Sequence, residues 1–132
     1  MLLVDTNVLL DVVQDDPQWA EWSIGQLRAQ AQIHELAINP VIYAEVSLAF
    51  STIEALDRVV AKMELSVHEM PRAALFLAGK AFVQYRRRAG TKSQVLPDFF
   101  IGAHAAVQGW PLLTRDASRF RTYFPGLVVL AP

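Results

Sequence analysis

Several features that define common protein classes are absent from this sequence. It contains no cysteine, which excludes a disulfide framework and thiolate chemistry and fits a reducing cytoplasm. No uncharged apolar run approaches the roughly 20 residues that a membrane helix requires, and the N-terminus lacks the basic start and cleavage site of a signal peptide. With 132 residues, the chain is expected to form one cytoplasmic domain, residues 1–132, with no membrane segment.

Acidic side chains are scarce in the second half of the chain. Residues 71–132 contain 2 acidic and 9 basic side chains, whereas residues 1–70 contain 11 acidic and 3 basic ones. The net charge of −1 hides this asymmetry, which points toward a polyanionic partner. Because 53% of the residues are hydrophobic, we expect apolar surface both in a core and against another protein.

The apolar pattern predicts short strands that alternate with helices. Strands are predicted at 2–4, 35–39, 65–70, 111–114 and 127–130. Helices are predicted at 6–13, 17–32, 40–50, 52–63, 71–88, 97–109 and 116–124, and TKSQ (91–94) is the most linker-like stretch. This alternation predicts one α/β domain with a mainly parallel sheet of about five strands and helices on both faces. Sites in such sheets form at the carboxyl ends of the strands.

Two aspartates follow predicted strands at that edge. Asp5 comes directly after the first strand, and Asp116 follows the strand PLLT after one arginine. Each could instead cap the helix that it precedes, because Asp is a favoured N-cap residue. Asp98 lies at a helix start and is the only charged residue between Lys92 and Arg115. It could complement the helix dipole, but its apolar surroundings favour a functional role.

Glu45 is the clearest anomaly in the sequence. Its helical neighbours three and four residues away are all apolar: Val41, Ile42, Leu48 and Ala49. A carboxylate on a buried stripe is costly unless it is paired or binds a metal. If the four acids converge, they require a cation or raised pKa values, and hard oxygen ligands suit Mg²⁺ or Mn²⁺.

Four sequence motifs together indicate a resemblance to a known protein family. They are LLVDTNVLLD, INPVIYAEV, LPDFFIGAHA and LLTRDASRF. In this order and spacing the sequence resembles the PIN-domain ribonucleases, in particular the VapC-type toxins of bacterial toxin–antitoxin pairs. The resemblance covers nearly the whole chain and includes the family's Asp-x-Asn and Thr-x-Asp elements.

The resemblance implies a metal-dependent endoribonuclease. Asp5, Glu45, Asp98 and Asp116 match its acidic metal-binding quartet: Asp5 and Asp98 would bind Mg²⁺ or Mn²⁺ directly, and Glu45 and Asp116 would complete the site directly or through water. Asn7 and Thr114 match polar positions that steady the carboxylates. The family further implies a five-stranded parallel sheet, cleavage of RNA by activated water to leave 5′-phosphate and 3′-hydroxyl ends, homodimerisation, and inhibition by a cognate VapB-like antitoxin.

Basic residues beside aromatic ones form candidate substrate contacts. Arg115 and Arg119 flank Asp116, and Arg86 and Arg87 lie in the stretch YRRRAGTK (85–92). Such groups can grip an RNA backbone. The arginines at 86–88 could equally satisfy a helix C-terminus. The apolar helices 40–50 and 71–83 are candidates for a dimer seam or an antitoxin groove, although core burial explains them equally well.

The remaining polar residues are interpreted as structural. His34, His68 and His104 are scattered and are not expected to be ligands, and Asp11 is expected to be solvated. Two other readings stay open: a catalytically inert PIN-type domain that binds RNA or a partner, and a receiver-like Mg²⁺-binding signalling domain. The receiver reading requires adjacent acids after the first strand and a strand-end lysine, neither of which is present.

Overall fold

The computed structural model describes residues 1–88, 90–92 and 95–132, and its sheet contains five parallel strands. The order across the sheet is β3-β2-β1-β4-β5. The strands are β1 (Leu2–Val4), β2 (Leu36–Ile38), β3 (Ser66–Val67), β4 (Leu112–Leu113) and β5 (Val129–Leu130). The predicted α/β class with a parallel sheet is therefore confirmed.

Helices connect the strands and cover the sheet. They are α1 (Thr6–Val13), α2 (Ala20–Gln30), α3 (Pro40–Ser47), α4 (Ile53–Lys62), α5 (Arg72–Arg87), α6 (Leu96–Gln108) and α7 (Ser118–Tyr123). Every residue of β1 and β4 is fully buried. Because successive strand side chains point to opposite faces, both faces of the central sheet are covered. Among the described residues, no helix combines the length and apolarity that a bilayer crossing requires.

Several helices are shorter than the sequence predicts. The predicted helix 17–32 begins only at Ala20, because the Asp16 side chain accepts hydrogen bonds from the backbone of Gln18 and Trp19 and holds a turn there. The predicted helix 40–50 ends at Ser47. Of the predicted linker 91–94, residues Ser93 and Gln94 lie outside the described part of the chain.

The topology places the candidate site at the switch in strand order. The chain proceeds from β1 outward through β2 to β3, and then returns to the other side of β1 with β4. Leu3 and Val4 of β1 pair with Leu112 and Leu113 of β4. Open parallel sheets form a crevice between the carboxyl ends of two such strands. Asp5 and the segment after Leu113 lie at this crevice.

Gly102 allows α6 and α7 to approach closely. A Cβ atom at this position would lie 2.5 Å from the Phe124 ring and 3.0 Å from the Phe120 ring. Both rings are buried. Gly102 is one turn after Asp98 on α6, and Arg119 directly precedes Phe120 on α7. The glycine therefore helps to bring Arg119 toward Asp98.

We expect Gly102→Ala to destabilise the protein by about 1–3 kcal/mol, because the added methyl group overpacks this contact. Gly79→Ala is the matched control: Gly79 is exposed on α5, and a Cβ there would meet nothing within 4 Å. It should stabilise the protein by up to about 1 kcal/mol through helix propensity. Urea unfolding measures both changes; equal effects of the two substitutions would contradict the close approach at Gly102.

Candidate active site

Asp5 is the buried centre of the candidate site. Its backbone N–H donates to the carbonyl of Leu113 at 2.9 Å, which continues the β1–β4 pairing. Its Oδ1 accepts a 2.7 Å hydrogen bond from the Thr6 N–H at the start of α1, and its Oδ2 accepts a 2.8 Å bond from the Thr114 hydroxyl. The side chain is 4% exposed. Asp5 thus caps α1 and also lies at the crevice.

Asn7 and Thr114 surround the Asp5 carboxylate. The Asn7 amide nitrogen lies 3.4 Å from Asp5 Oδ2 and 3.3 Å from Thr114 Oγ1. Its amide oxygen accepts a 3.1 Å bond from the backbone N–H of Arg115, and the Asp116 N–H donates to Thr114 Oγ1 at 3.2 Å. This network joins the start of α1 to the loop after β4.

Thr6 connects Glu45 to the site, a contact that sequence reasoning missed. The Thr6 hydroxyl, which is largely buried, donates to Glu45 Oε1 at 2.7 Å. The only signal in the sequence was the position of Thr6 between Asp5 and Asn7. Because the hydroxyl fixes one carboxylate oxygen, it orients the Glu45 side chain toward Asp5.

The buried stripe predicted around Glu45 is partly wrong. Ile42 and Val46 are buried, but Leu48 is 89% exposed because α3 ends at Ser47. Glu45 therefore lies at the margin of the buried face and is itself partly exposed. Its placement beside the crevice, rather than full burial, is what distinguishes it.

Asp98 and Asp116 lie on the more open side of the site. Asp98 is in the first turn of α6, and its Oδ2 accepts a 2.6 Å hydrogen bond from Arg119 Nη1 of α7. Asp116 is exposed. The alternative that Asp116 caps the following helix is wrong, since the N-cap residue of α7 is Ala117.

Burial, reinforced by repulsion from neighbouring acids, raises the pKa values of three of these acids. Burial raises the pKa of Asp5 to about 7; hydrogen bonds from Thr114 and Thr6 oppose the rise, and the charges of Asp98 and Glu45 add to it. Burial also raises the pKa of Glu45, opposed by the Thr6 hydroxyl and reinforced by Asp98. Asp5, Glu45 and Asp98 are therefore close enough to repel one another.

Asp98 differs because it has a cationic partner. Burial raises its pKa and Asp116 adds to the rise, while the hydrogen bond and charge of Arg119 oppose it. Neither Asp5 nor Glu45 forms an ion pair in the described part of the chain. Two carboxylates that repel each other and lack a cation are suited, as hard oxygen donors, to Mg²⁺ or Mn²⁺.

The side chains as they stand do not form a closed chelate. Within residues 1–88, 90–92 and 95–132, no three or more carboxylate or imidazole groups are grouped tightly enough to hold a metal ion. The donor chemistry fits a divalent cation.

The prediction that Asp11 is solvated is wrong. Asp11 is 2% exposed and forms a two-point ion pair with Arg115, with Nε–Oδ2 and Nη2–Oδ1 distances of 3.0 and 3.1 Å. The buried Ser23 hydroxyl donates to the same carboxylate at 2.7 Å, and the Arg115 guanidinium lies over the Trp19 ring. Arg115 therefore anchors the loop after β4 to α1 and α2.

The arginines at the end of α5 lie apart from these contacts. Arg86 and Arg87 are both exposed in the last turn of α5. The Arg86 guanidinium lies 5.9 Å from the centre of the Phe82 ring. No bond joins either residue to the acids in the described part of the chain. Their contact with substrate stays a prediction.

A buried polar pair joins the helices that carry Glu45 and Asp98. The Asn39 amide oxygen accepts from the Ile42 N–H and caps α3, which leaves its nitrogen to donate to His104 Nδ1 on α6 at 3.1 Å. Both residues are fully buried. Burial lowers the pKa of His104, and His68 adds to this effect. His104 is thus a neutral core residue that fixes α3 against α6.

Comparisons with known proteins place this arrangement in a family. The sequence profile described as PIN domain matches residues 2–124. A search of curated proteins found no match.

Solved toxin–antitoxin structures have a similar fold. VapBC2 from Rickettsia felis, bound to a DNA fragment from its promoter, superposes with a TM-score of 0.76 at 17% identity, over 99% of this chain and 98% of that chain. VapBC-1 from nontypeable Haemophilus influenzae gives 0.74 at 15% identity, over 98% and 96%. A toxin–antitoxin complex from Klebsiella pneumoniae gives 0.65 at 22%, over 97% and 96%. At these identities the likeness concerns the fold.

The Asp5→Asn variant, studied in chelator-treated protein, tests how much the buried Asp5 carboxylate lowers the free energy of unfolding. Because the folded pKa of about 7 exceeds the ordinary value of 3.8, the folded state binds more protons between these two pH values, and this stability is lost as pH rises toward 7, by up to about 1.4 kcal/mol per pH unit. The variant should therefore gain about 2 kcal/mol relative to wild type between pH 5 and pH 8. Urea unfolding at both pH values measures it; an equal difference at both would contradict the raised pKa.

Proposed function

This chain belongs to the PIN domain family, and we propose that it is a metal-dependent endoribonuclease, the toxin of a type II toxin–antitoxin pair. One observation carries the proposal: the buried Asp5 carboxylate lies at the strand switch, repelled by Asp98 and Glu45 and without a cationic partner in the described residues. Such a group is costly to the fold. A divalent cation bound to Asp5 would offset this cost and would serve the cleavage reaction.

Asp5 and Asp98 would hold Mg²⁺ or Mn²⁺ directly, with Glu45 and Asp116 completing the site. When bound, the cation would supply positive charge for the phosphate oxygens and make the attacking water more acidic. Thr114 and Asn7 hold the Asp5 carboxylate in place.

Glu45 is suited to orient the water. Its Oε1 accepts from Thr6, and its Oε2 accepts no hydrogen bond from the described residues. Oε2 can therefore accept a proton from water that attacks the phosphorus in line. The P–O3′ bond breaks, the 3′-oxygen takes up a proton, and the products carry 5′-phosphate and 3′-hydroxyl ends. No side-chain nucleophile takes part.

Basic residues of the second half of the chain would hold the RNA backbone. Arg119 lies beside Asp98, and Arg86 and Arg87 are exposed at the end of α5. Arg115 is engaged by Asp11, so its contribution is chiefly to hold the loop that carries Asp116. Phosphate contacts of this kind give affinity without base specificity.

A cleavage assay tests the proposal. Purified protein should cut 5′-labelled RNA with Mg²⁺ or Mn²⁺ and lose this activity in EDTA. Asp98→Asn should slow cleavage at least about 100-fold, because even groups that only support metal ligands contribute 10–100-fold.

Asp15→Asn is the matched control, since Asp15 is exposed and its positive φ of 48° is one that Asn tolerates. It should cut at the wild-type rate. Cleavage by Asp98→Asn at that rate would remove the mechanism, and cation binding without cleavage by the wild type would favour the inert PIN-type alternative.

The partner would be a VapB-like antitoxin, as suggested by the neighbouring structures, which are toxin–antitoxin complexes. A groove of about 530 Å³ between α1, α2 and α4 offers a place for it. Its floor includes Val12, Leu27 and Met63, and the exposed cations Arg28 and Lys62 line it. An apolar antitoxin segment with acidic flanks would complement this groove.

Co-expression with the small protein encoded by an adjacent reading frame should give a complex that no longer cuts RNA. Lys62→Glu should weaken this complex about tenfold in titration calorimetry, because the reversed charge repels acidic flanks. Arg121→Glu, a charge reversal at an exposed residue of α7 outside the groove, should leave the affinity within twofold. Equal effects of the two variants would place the antitoxin elsewhere.

A homodimer is proposed through α5. Leu75, Phe76 and Val83 are apolar and between 43% and 69% exposed, and they share one side of this helix. An exposed stripe of this kind is typical of an interface, and it lies within the apolar helix 71–83 that the sequence indicates.

A further inference from the structure

Arg119 forms an ion pair with Asp98, one of the two acids proposed to bind the cation directly. Its Nη1 lies 2.6 Å from Asp98 Oδ2, and the two side chains are 27% and 32% exposed. In the described part of the chain, this is the only ion pair that any of the four candidate acids forms. The charge of the guanidinium therefore acts directly on the ligand set.

The fold sets this contact by packing. Gly102 lets the rings of Phe120 and Phe124 lie against α6, one turn after Asp98. Arg119 precedes Phe120, so the side chain that follows the arginine is buried while the arginine itself reaches the rim of the site. The Arg119 backbone is thus fixed, whereas its partly exposed guanidinium can rotate to another anion.

The ion pair engages Asp98 apart from Asp5 and Glu45. Asp98 is bonded to α7 through Oδ2, while Thr6 donates hydrogen bonds to both Asp5 and Glu45. A cation bound to Asp98 would weaken the arginine contact, because a cation and a guanidinium beside one carboxylate repel each other.

We propose that Arg119 and a divalent cation compete for Asp98, so that cation loading releases Arg119 to hold a phosphate of the RNA. This inference rests on the proposed function and adds a sequence of events to it. Arg119 is paired with Asp98 before the cation binds, and it contacts the substrate after the cation has bound. Because guanidinium binds carboxylate and phosphate with the same fork of donors, the exchange needs only a side-chain rotation.

Calorimetric titration of metal-free protein with Mn²⁺ tests the competition without any cleavage. Arg119→Gln should bind Mn²⁺ about fivefold or more tightly than wild type; the effect is moderate because partly exposed ion pairs are weak. Arg121→Gln is the matched control: it removes the same charge from the same helix, at an exposed residue that forms no ion pair in the described chain. It should change the affinity less than twofold.

Cleavage kinetics at saturating Mn²⁺ test the second half of the exchange. Arg119→Gln should raise the KM for a short RNA about tenfold while kcat changes less than threefold, since a backbone contact is lost and the acids are intact. Arg119→Lys, which keeps the charge and one-point contact, should lie closer to wild type in both assays and guards against a folding defect in the glutamine variant.

The outcomes separate this inference from the proposed function. Absence of Mn²⁺ binding by every variant would overturn the proposed function itself. Equal Mn²⁺ affinity of wild type and Arg119→Gln would overturn only the competition, and tighter Mn²⁺ binding with an unchanged KM would overturn the release of Arg119 to the substrate.

Discussion

The 2.8 Å hydrogen bond between Thr114 and Asp5 is the contact on which the site depends. It joins the ends of β1 and β4, the two strands between which the chain reverses its order. Around it, Asn7 ties the start of α1 to the loop after β4. Neutral hydrogen-bond donors therefore surround the Asp5 carboxylate, and they oppose the repulsion that it experiences from the neighbouring acids Asp98 and Glu45.

The same network shows why the crevice is built from polar groups of several segments. Asp5 is carried by a buried strand, Glu45 and Asp98 by helices, and Asp116 by an exposed loop. Thr6 and Arg115 are the links that hold these segments in register, one through Glu45 and the other through Asp11. The contacts that join these segments therefore also bring the acids of the site together.

The sequence was sufficient for the order of elements and for the parallel sheet, because short apolar runs and helix periodicity are local signals. It also singled out Asp5, since a carboxylate directly after a buried strand needs no tertiary information to be noticed. It misjudged Asp11, whose burial depends on Arg115, 104 residues away, and Leu48, whose exposure depends on where α3 ends. Contacts between distant residues, such as Thr6 with Glu45, carry no local signature.

The Asn39–His104 bond limits how this site can change shape. The Asn39 side chain caps α3 and ties the start of that helix to α6 inside the core, which restrains the backbones that carry Glu45 and Asp98 relative to each other. Adjustment of the acids then falls to rotation about side-chain bonds, which takes picoseconds to nanoseconds at exposed positions. Any regrouping of these two acids would accordingly proceed by side-chain rotation and not by the opening of a cleft between α3 and α6.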